Sequence, residues 1–218
     1  MNNPGDVNRP YSSPLREAQA KETRLAIIRA AQKLFVEVGF AATSVDAIAR
    51  QAGVARATVF TSVGGKPALM KAAYDVAVVG DDEPIPLPER PWAQSVRTAE
   101  TQEALLDAYA RMMQDVCARL APIYEALRGA ATIDSELAGL FADVRQQRRV
   151  GAANIITMLL AKGPIRSSLT LEEAGDVLWV LNDPGLYALL VLDRGWSGER
   201  YSEWLASATK RELLGQPW

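Results

Sequence analysis

Apolar residues recur three and four positions apart along most of this chain, the period of one face of an α-helix. Between residues 16 and 38 the stripe is Ile27, Ile28, Ala31, Leu34, Phe35 and Val38, and Gly39 closes it. Thr43-x-x-Asp46 resembles a capping box and predicts a short helix over 44–51, interrupted at Ala52 and Gly53. A second short helix is expected over 55–62. A longer one, over 66–79, follows the Gly64, Gly65 break. Past residue 80 the pattern changes, because Pro84, Pro86, Pro88 and Pro91 beside Asp81 and Asp82 do not suit a continuing helix.

The helical period returns with Leu105, Tyr109, Met112, Met113, Val116 and Leu120. A shorter helix holding Tyr124 and Leu127 is expected to start near Pro122, and a longer one to carry Leu137, Leu140, Phe141, Val144, Ile155, Ile156 and Leu159. Lys162, Gly163 and Pro164 stop it, and Thr170-x-x-Glu173 caps the next, which runs into the nearly all-apolar stretch 186–192. The last helix is expected to begin at Ser197, with Tyr201, Trp204, Leu205 and Ala208 on one face. No β-type alternation appears, so the fold class expected is all-α with about nine helices. The division expected is an arm over 1–15, a head of short helices over 16–63, a connecting helix over 64–80, a proline-rich loop over 81–98, a helical body over 99–214 and a tail over 215–218.

Charge changes the picture more than composition does. Residues 1–71 hold ten Lys or Arg against five Asp or Glu, and 72–218 hold fourteen against twenty-one, so a net charge of -2 conceals a basic head on an acidic body. That is the footprint of a nucleic-acid binder, although ordinary variation along a chain gives similar splits. One cysteine, Cys117, excludes an intrachain disulfide and a thiolate zinc cluster. With no histidine, a transition-metal site and a His-dependent triad are not expected either. No metal, cofactor or membrane partner is expected, and a cytoplasmic location is. Gly64-Gly65-Lys66-Pro67 lacks the spacing of a phosphate loop, and Gly195-Trp196-Ser197-Gly198 is no nucleophile elbow.

Two short helices joined by a Gly-containing turn have the size of a helix-turn-helix, though also of an ordinary helical hairpin. Ala49, Ala52, Val54 and Val59 suit the crossing, Gly53 the turn, and Arg56, Ala57, Thr58, Phe60 and Thr61 are left for the surface. Residues 23–73, TRLAIIRAAQKLFVEVGFAATSVDAIARQAGVARATVFTSVGGKPALMKAA, resemble the DNA-binding region of TetR/AcrR-type regulators. The pattern is met in order: the stripe ending in Leu34, Phe35, the Gly39, Phe40 corner, Thr43, then Val45, Ile48, Ala49, Gly53, Val54, and Thr58, Val59, Phe60. LLVLDRGWSGERYSEWLA, residues 189–206, resembles the last two helices of many members.

The resemblance implies a repressor that binds operator DNA as a homodimer, with Thr43 and Thr58 on phosphates and Arg56, Ala57 and Thr61 facing the major groove. Ser44 joins this set. Phe60 stands where members usually have tyrosine, and Ser62 and Val63 where they have His-Phe; Ser62 and Lys66 are further phosphate ligands. It also places the last two helices in an intersubunit four-helix bundle, with Leu186, Leu189, Leu190, Tyr201, Trp204, Leu205 and Ala208 as interface candidates. Tyr109, Met113, Cys117, Tyr124, Ile156, Trp179, Asn182 and Asp183 are candidates for an effector cavity, or are ordinary core. The guest expected is a small, neutral or weakly charged, partly aromatic molecule, since only Arg111, Arg119 and Arg128 are placed to offer cations to an anionic one. An operator-binding dimer without an effector and a small-molecule enzyme working through Tyr109, Asp183 or Cys117 are the competing readings.

Overall fold

The structure, a computed structural model, describes residues 14–83, 85 and 89–216. The arm expected over 1–15, most of its length, Pro84, Pro86 and Pro88 of the loop, and the end of the tail lie outside the described residues.

Among the described residues every regular element is a helix, in the order α1 Pro14–Glu37, α2 Val45–Ala52, α3 Arg56–Ser62, α4 Lys66–Val79, α5 Pro91–Thr98, α6 Gln102–Ala130, α7 Ser135–Leu160, α8 Leu171–Leu181, α9 Pro184–Tyr187, a π-helical stretch Ala188–Asp193, and α10 Gly198–Leu214. Of the α1 stripe, Ile27, Ile28, Ala31 and Phe35 are buried at the centre of the head and Leu34 is half-buried, while Val38, past the end of the helix, is exposed. The same apolar cluster continues through Leu69, Met70, Ala73 and Ala77 of α4 into Val116, Ile123, Tyr124 and Leu127 of α6. Head and body therefore share a core along α4, so a shift of α4 is felt on both sides. Two further clusters fill the body, one between α6, α7, α8 and α10 around Leu105, Ile156 and Leu178, the other around Cys117, Tyr187, Tyr201 and Leu205.

Local chemistry departs from the sequence reading at four places. The cap of α2 is Ser44, whose Oγ accepts from the Ala47 N–H at 3.1 Å, so the capping box expected at Thr43 sits one residue further on and without its carboxylate half. Pro122 does not start a helix; it lies inside α6. Proline there removes one backbone hydrogen bond, a penalty of about 3 kcal/mol, and burial of Ala121, Ile123, Tyr124 and Leu127 on both sides holds the helix together. The proline-rich stretch contains α5, with Pro91 in the first turn, where its missing N–H is harmless. Arg90 orders the approach to it, nearly fully buried and donating to the Asp81 carboxylate at 2.5 Å and to the carbonyls of Glu83 and Ile85. Lastly, the apolar run 186–192 is π-helical in part, entered through a break at Asn182, Asp183 and Pro184.

The capping box at the start of α8 is formed as expected: Thr170 and Glu173 satisfy each other's backbone N–H groups, and those bonds hold the Glu173 carboxyl below its ordinary pKa.

Candidate nucleic-acid interface and effector site

The head is built outward from its turn. Gly53, at φ 69°, takes the left-handed conformation that lets α2 end and α3 begin within three residues. Ile48, Ala49 and Val59 are buried beneath the crossing, which turns the opposite side of α3 to solvent. That side carries Arg56, Ala57, Phe60 and Thr61, with Phe60 45% exposed, a large ring that no other packing requirement explains. Arg56 is held over the Phe60 ring at 5.5 Å and paired with Asp46 of α2 at 2.8 Å. Thr61 returns its hydroxyl to the Ala57 and Thr58 carbonyls, which leaves its methyl as the outward group.

Thr43 is a correction to the phosphate-contact set. It is 3% exposed, and its hydroxyl donates to the carbonyls of Gly39 at 2.7 Å and Leu34 at 3.2 Å, closing the corner between α1 and α2. Ser44 stays exposed, but its oxygen is engaged in capping α2. Thr58 and Ser62 are half-buried, and Lys66 at the start of α4 rests its ammonium over the Phe40 ring at 4.3 Å.

Sequence reasoning missed Arg24. From α1 it donates to the Ser62 carbonyl at the end of α3, at 2.6 Å, and to Asp82 just beyond α4, at 2.7 Å. Lys21 makes a parallel bridge to Glu83. The end of the exposed helix is thus tied to the end of α4 by one side chain. A basic residue at the edge of a helix stripe gives no sequence signal for a partner 58 residues away.

In the body, Tyr109, Tyr124, Trp179, Asn182 and Asp183 do come together, but around a residue that sequence reasoning did not name. Arg148 of α7 has a side chain 11% exposed and donates to Asp183 at 2.7 Å, to Asn182 Oδ1 at 2.8 Å, to the Trp179 carbonyl at 2.9 Å and to Tyr124 Oη at 3.3 Å. Asn182 passes the chain on to Tyr109 Oη at 2.7 Å, and Tyr124 donates to Asp183 at 3.1 Å. Where an effector cavity was expected, these side chains form a closed polar knot joining α6, α7 and the α8–α9 break. Burial pushes the Tyr124 hydroxyl up to about 12, helped by the Asp183 carboxylate, and Tyr109 also rises, chiefly by burial. Cys117, fully buried beside Tyr201, is pushed up to about 12 by burial, which leaves an inert thiol at neutral pH. Ile156 is core in the neighbouring apolar cluster, and Met113 lies half-buried between two clusters.

The charged candidates are elsewhere. Arg119 donates to the Ala77 and Val78 carbonyls near the end of α4 and lines an open groove of about 480 Å³ with Arg29, Lys33 and Val36. Arg111 and Arg119 line a second hollow of about 560 Å³ with Ser95 and Met112, while Arg128 pairs with Glu125 at the surface. The premise that only Arg111, Arg119 and Arg128 are placed to offer cations is therefore overturned by Arg148. Its signal was present in Val144, Arg148 and Ala152, four apart on α7 with the outer two in the core, a spacing that puts Arg148 on the buried face.

Three interface candidates are also corrected. Tyr201, Leu205 and Ala208 are buried within the single chain, packed on α6, and have no surface to offer a partner. Leu189 is 56% exposed, and Leu186, Leu190 and Trp204 are half-buried; Val180 and Leu192 extend this uncovered face. The segment Leu171–Asp193 is long and apolar enough to cross a membrane by composition alone, and only 22% of its most apolar window is buried.

Comparison with known proteins agrees with this geometry. Residues 27–73 match the family model described as bacterial regulatory proteins, tetR family. The HTH-type transcriptional regulator YdeS of Bacillus subtilis is 26% identical over 170 residues, 78% of this chain and 79% of the relative. Among solved structures, NalD, the secondary repressor of the MexAB-OprM multidrug efflux pump in Pseudomonas aeruginosa, superposes with a TM-score of 0.67 at 22% identity, over 91% of this chain and 100% of that one. FadR from Bacillus subtilis in complex with stearoyl-CoA gives a TM-score of 0.68 at 19% identity, over 84% and 96%.

Proposed function

Because the chain belongs to the TetR family of bacterial regulatory proteins, we propose that it is a homodimeric, sequence-specific repressor released from its operator by a small organic effector. The observation that carries the DNA-binding part is the outward face of α3. Arg56, Ala57, Phe60 and Thr61 stand clear of the core on a helix fixed by a tight turn, the arrangement needed to enter a major groove. Thr58, Ser62 and Lys66 flank it as phosphate ligands, and Ser44 adds contact from the start of α2. The site of action is DNA, which places the protein in the cytoplasm.

A single short helix reads too few base pairs to find one site in a genome, so two heads paired across a two-fold axis are required. The apolar face of Val180, Leu186, Leu189, Leu190, Leu192 and Trp204 supplies the pairing surface; an apolar strip of that length facing water would otherwise be an aggregation site. Effector control is supported by the shared core along α4 and by Arg24, which fastens α3 to the end of that helix. A ligand in the body that moves α4 changes the spacing of the two heads and weakens their joint insertion. The relatives add that FadR carries stearoyl-CoA in its solved complex.

The closed knot around Arg148 favours one alternative, an operator-binding dimer without any effector. One experiment separates them. Sedimentation of the free protein and fluorescence anisotropy on the DNA upstream of its own gene, against random DNA, should show a dimer with a salt-dependent preference for the former. A monomer, or equal affinity for both DNAs, would remove the repressor reading; a preference that no small molecule alters would leave the effector-free dimer. Turnover chemistry has no support in the inert Cys117 or the hydrogen-bonded Asp183.

A further inference from the structure

We propose that the body takes an organic carboxylate whose anionic head lands on Arg148, in the place that Asp183 holds in this structure. This rests on the reading that the body receives an effector, and it names that effector's chemical class.

The charge on Arg148 is buried, and three of its four acceptors, the Trp179 carbonyl, Asn182 Oδ1 and Tyr124 Oη, are neutral. Compensation falls on Asp183 alone, at 2.7 Å. Asp183 is a replaceable partner. Its side chain is 33% exposed, so the ion pair meets solvent on that side, and its other oxygen already caps α9 through the Gly185 N–H at 2.8 Å. Leaving Arg148 therefore need not uncap the helix. Beside the pair, Trp179 Nε1 is buried without a hydrogen-bond partner and the exposed Arg145 guanidinium lies 5.2 Å from the Trp179 ring, while Arg149, 5.7 Å from that ring, is already paired with Asp176 at 3.2 Å.

An organic cation would meet a like charge in the buried Arg148 guanidinium. A doubly charged phosphate would leave one charge uncompensated on a single buried arginine. A carboxylate matches the charge and planar fork of the group it replaces. Its apolar part needs room that side chains must open, and the half-buried Met113, packed against two core clusters, reshapes at little energetic expense. Asp183 begins the segment that runs through Pro184 into 188–193, the proposed pairing face, so its release from Arg148 acts directly on that face.

The test uses decanoate and benzoate, with decanamide and benzamide as neutral matches, on the full chain and on Asp183→Asn and Arg148→Met. Binding is read by calorimetry and operator release by anisotropy. At least one carboxylate should bind and release operator, its amide should be about tenfold weaker or worse, Asp183→Asn should tighten the carboxylate about tenfold because the internal competitor is gone, and Arg148→Met should abolish it. Should Arg148→Met not fold, sodium formate supplies the second measurement: it should raise the melting temperature of Asp183→Asn more than sodium chloride does at equal ionic strength, and leave the parent protein unchanged. Equal binding of acid and amide, no tightening in Asp183→Asn, or no carboxylate binding while operator binding is intact overturns the proposal and leaves the regulator reading standing. Absence of operator preference in the free protein would instead defeat that reading.

Discussion

The head and the body of this protein are held together in different ways, and the contrast explains what each can do. In the head the determinants are short-range: a stripe on α1, a serine cap, a glycine turn and a helix whose outer face has no internal duty. Most of its charged groups lie at the surface, in pairs such as Arg56 with Asp46 that water screens, and the half-buried Arg24 is the long-range exception. In the body the determinants are long-range. One buried arginine reaches α6, the end of α8 and the start of α9, and four tyrosines and a cysteine surround that region with hydroxyl and thiol groups raised by burial. A rigid, locally specified reader is thus joined to a body whose geometry hangs on one ionic contact.

The sharpest way to break the contrast is at Arg148. Arg148→Met removes the cation but leaves Asp183, Asn182 and the Trp179 carbonyl facing each other, and breaking a buried pair costs about 3–5 kcal/mol. With Asp183 one-third exposed, the lower end of that range is expected, read as a fall in the denaturant midpoint. A loss below about 1 kcal/mol, the worth of a surface pair, would show that the knot is solvated. A second body-specific effect is alkaline. Cys117 has its pKa raised by burial from an ordinary 9.0 to about 12, so its contribution to stability is intact below pH 9 and is lost as pH rises toward 12. Stability should fall across that window, and Cys117→Ala should flatten part of the fall. The native thiol should resist alkylation at pH 8 until the protein is unfolded.

The head should respond in the opposite sense, losing recognition without losing stability. Arg56→Ala should lower affinity for the cognate operator by about 1–3 kcal/mol and relax sequence preference, with melting unchanged within about 0.5 kcal/mol. An equal loss on cognate and random DNA would assign Arg56 to phosphate alone. Asp46→Ala sharpens the point, because the guanidinium must leave Asp46 to reach a base, and freeing it should strengthen DNA binding. Ser44→Ala, by contrast, should lower stability by about 1 kcal/mol through the lost cap.

How much could be read from the sequence follows the same division. The stripe of α1, the turn at Gly53, the outward set on α3 and the Thr170, Glu173 cap were legible because each is specified by neighbours within four residues. Thr43 was misassigned because a hydroxyl looks alike whether it faces a phosphate or the Gly39 carbonyl; only the path of the corner decides. Pro122 looked like a helix start because its local rule is strong, and tertiary burial of Tyr124 and Leu127 overrode it. Tyr201, Leu205 and Ala208 looked like an interface because a stripe does not say which chain it packs against. Arg148 stands four residues from the core positions Val144 and Ala152, so its face was legible; its partners were not, because the rule that arginine belongs at the surface fails only where several distant acceptors converge, and which ones converge has no sequence period.

Lys66 gives the smallest effect and the finest distinction. Its ammonium sits over Phe40 at 4.3 Å in the first turn of α4, where unpaired backbone N–H groups also favour an anion. Resting on an aromatic face leaves the charge uncompensated by any carboxylate among the described residues, so a phosphate can share it without displacing one of them. Lys66→Ala should then reduce the slope of log affinity against log salt by about one unit and weaken cognate and random DNA alike, since a phosphate contact carries no sequence information. If the lysine serves only to pack on Phe40, the salt slope will stay as it was and the loss will appear in the unfolding of the head. Phe40→Leu separates the two roles from the other side: it removes the aromatic face but keeps the charge, and should leave the slope intact while loosening the corner that Thr43 closes.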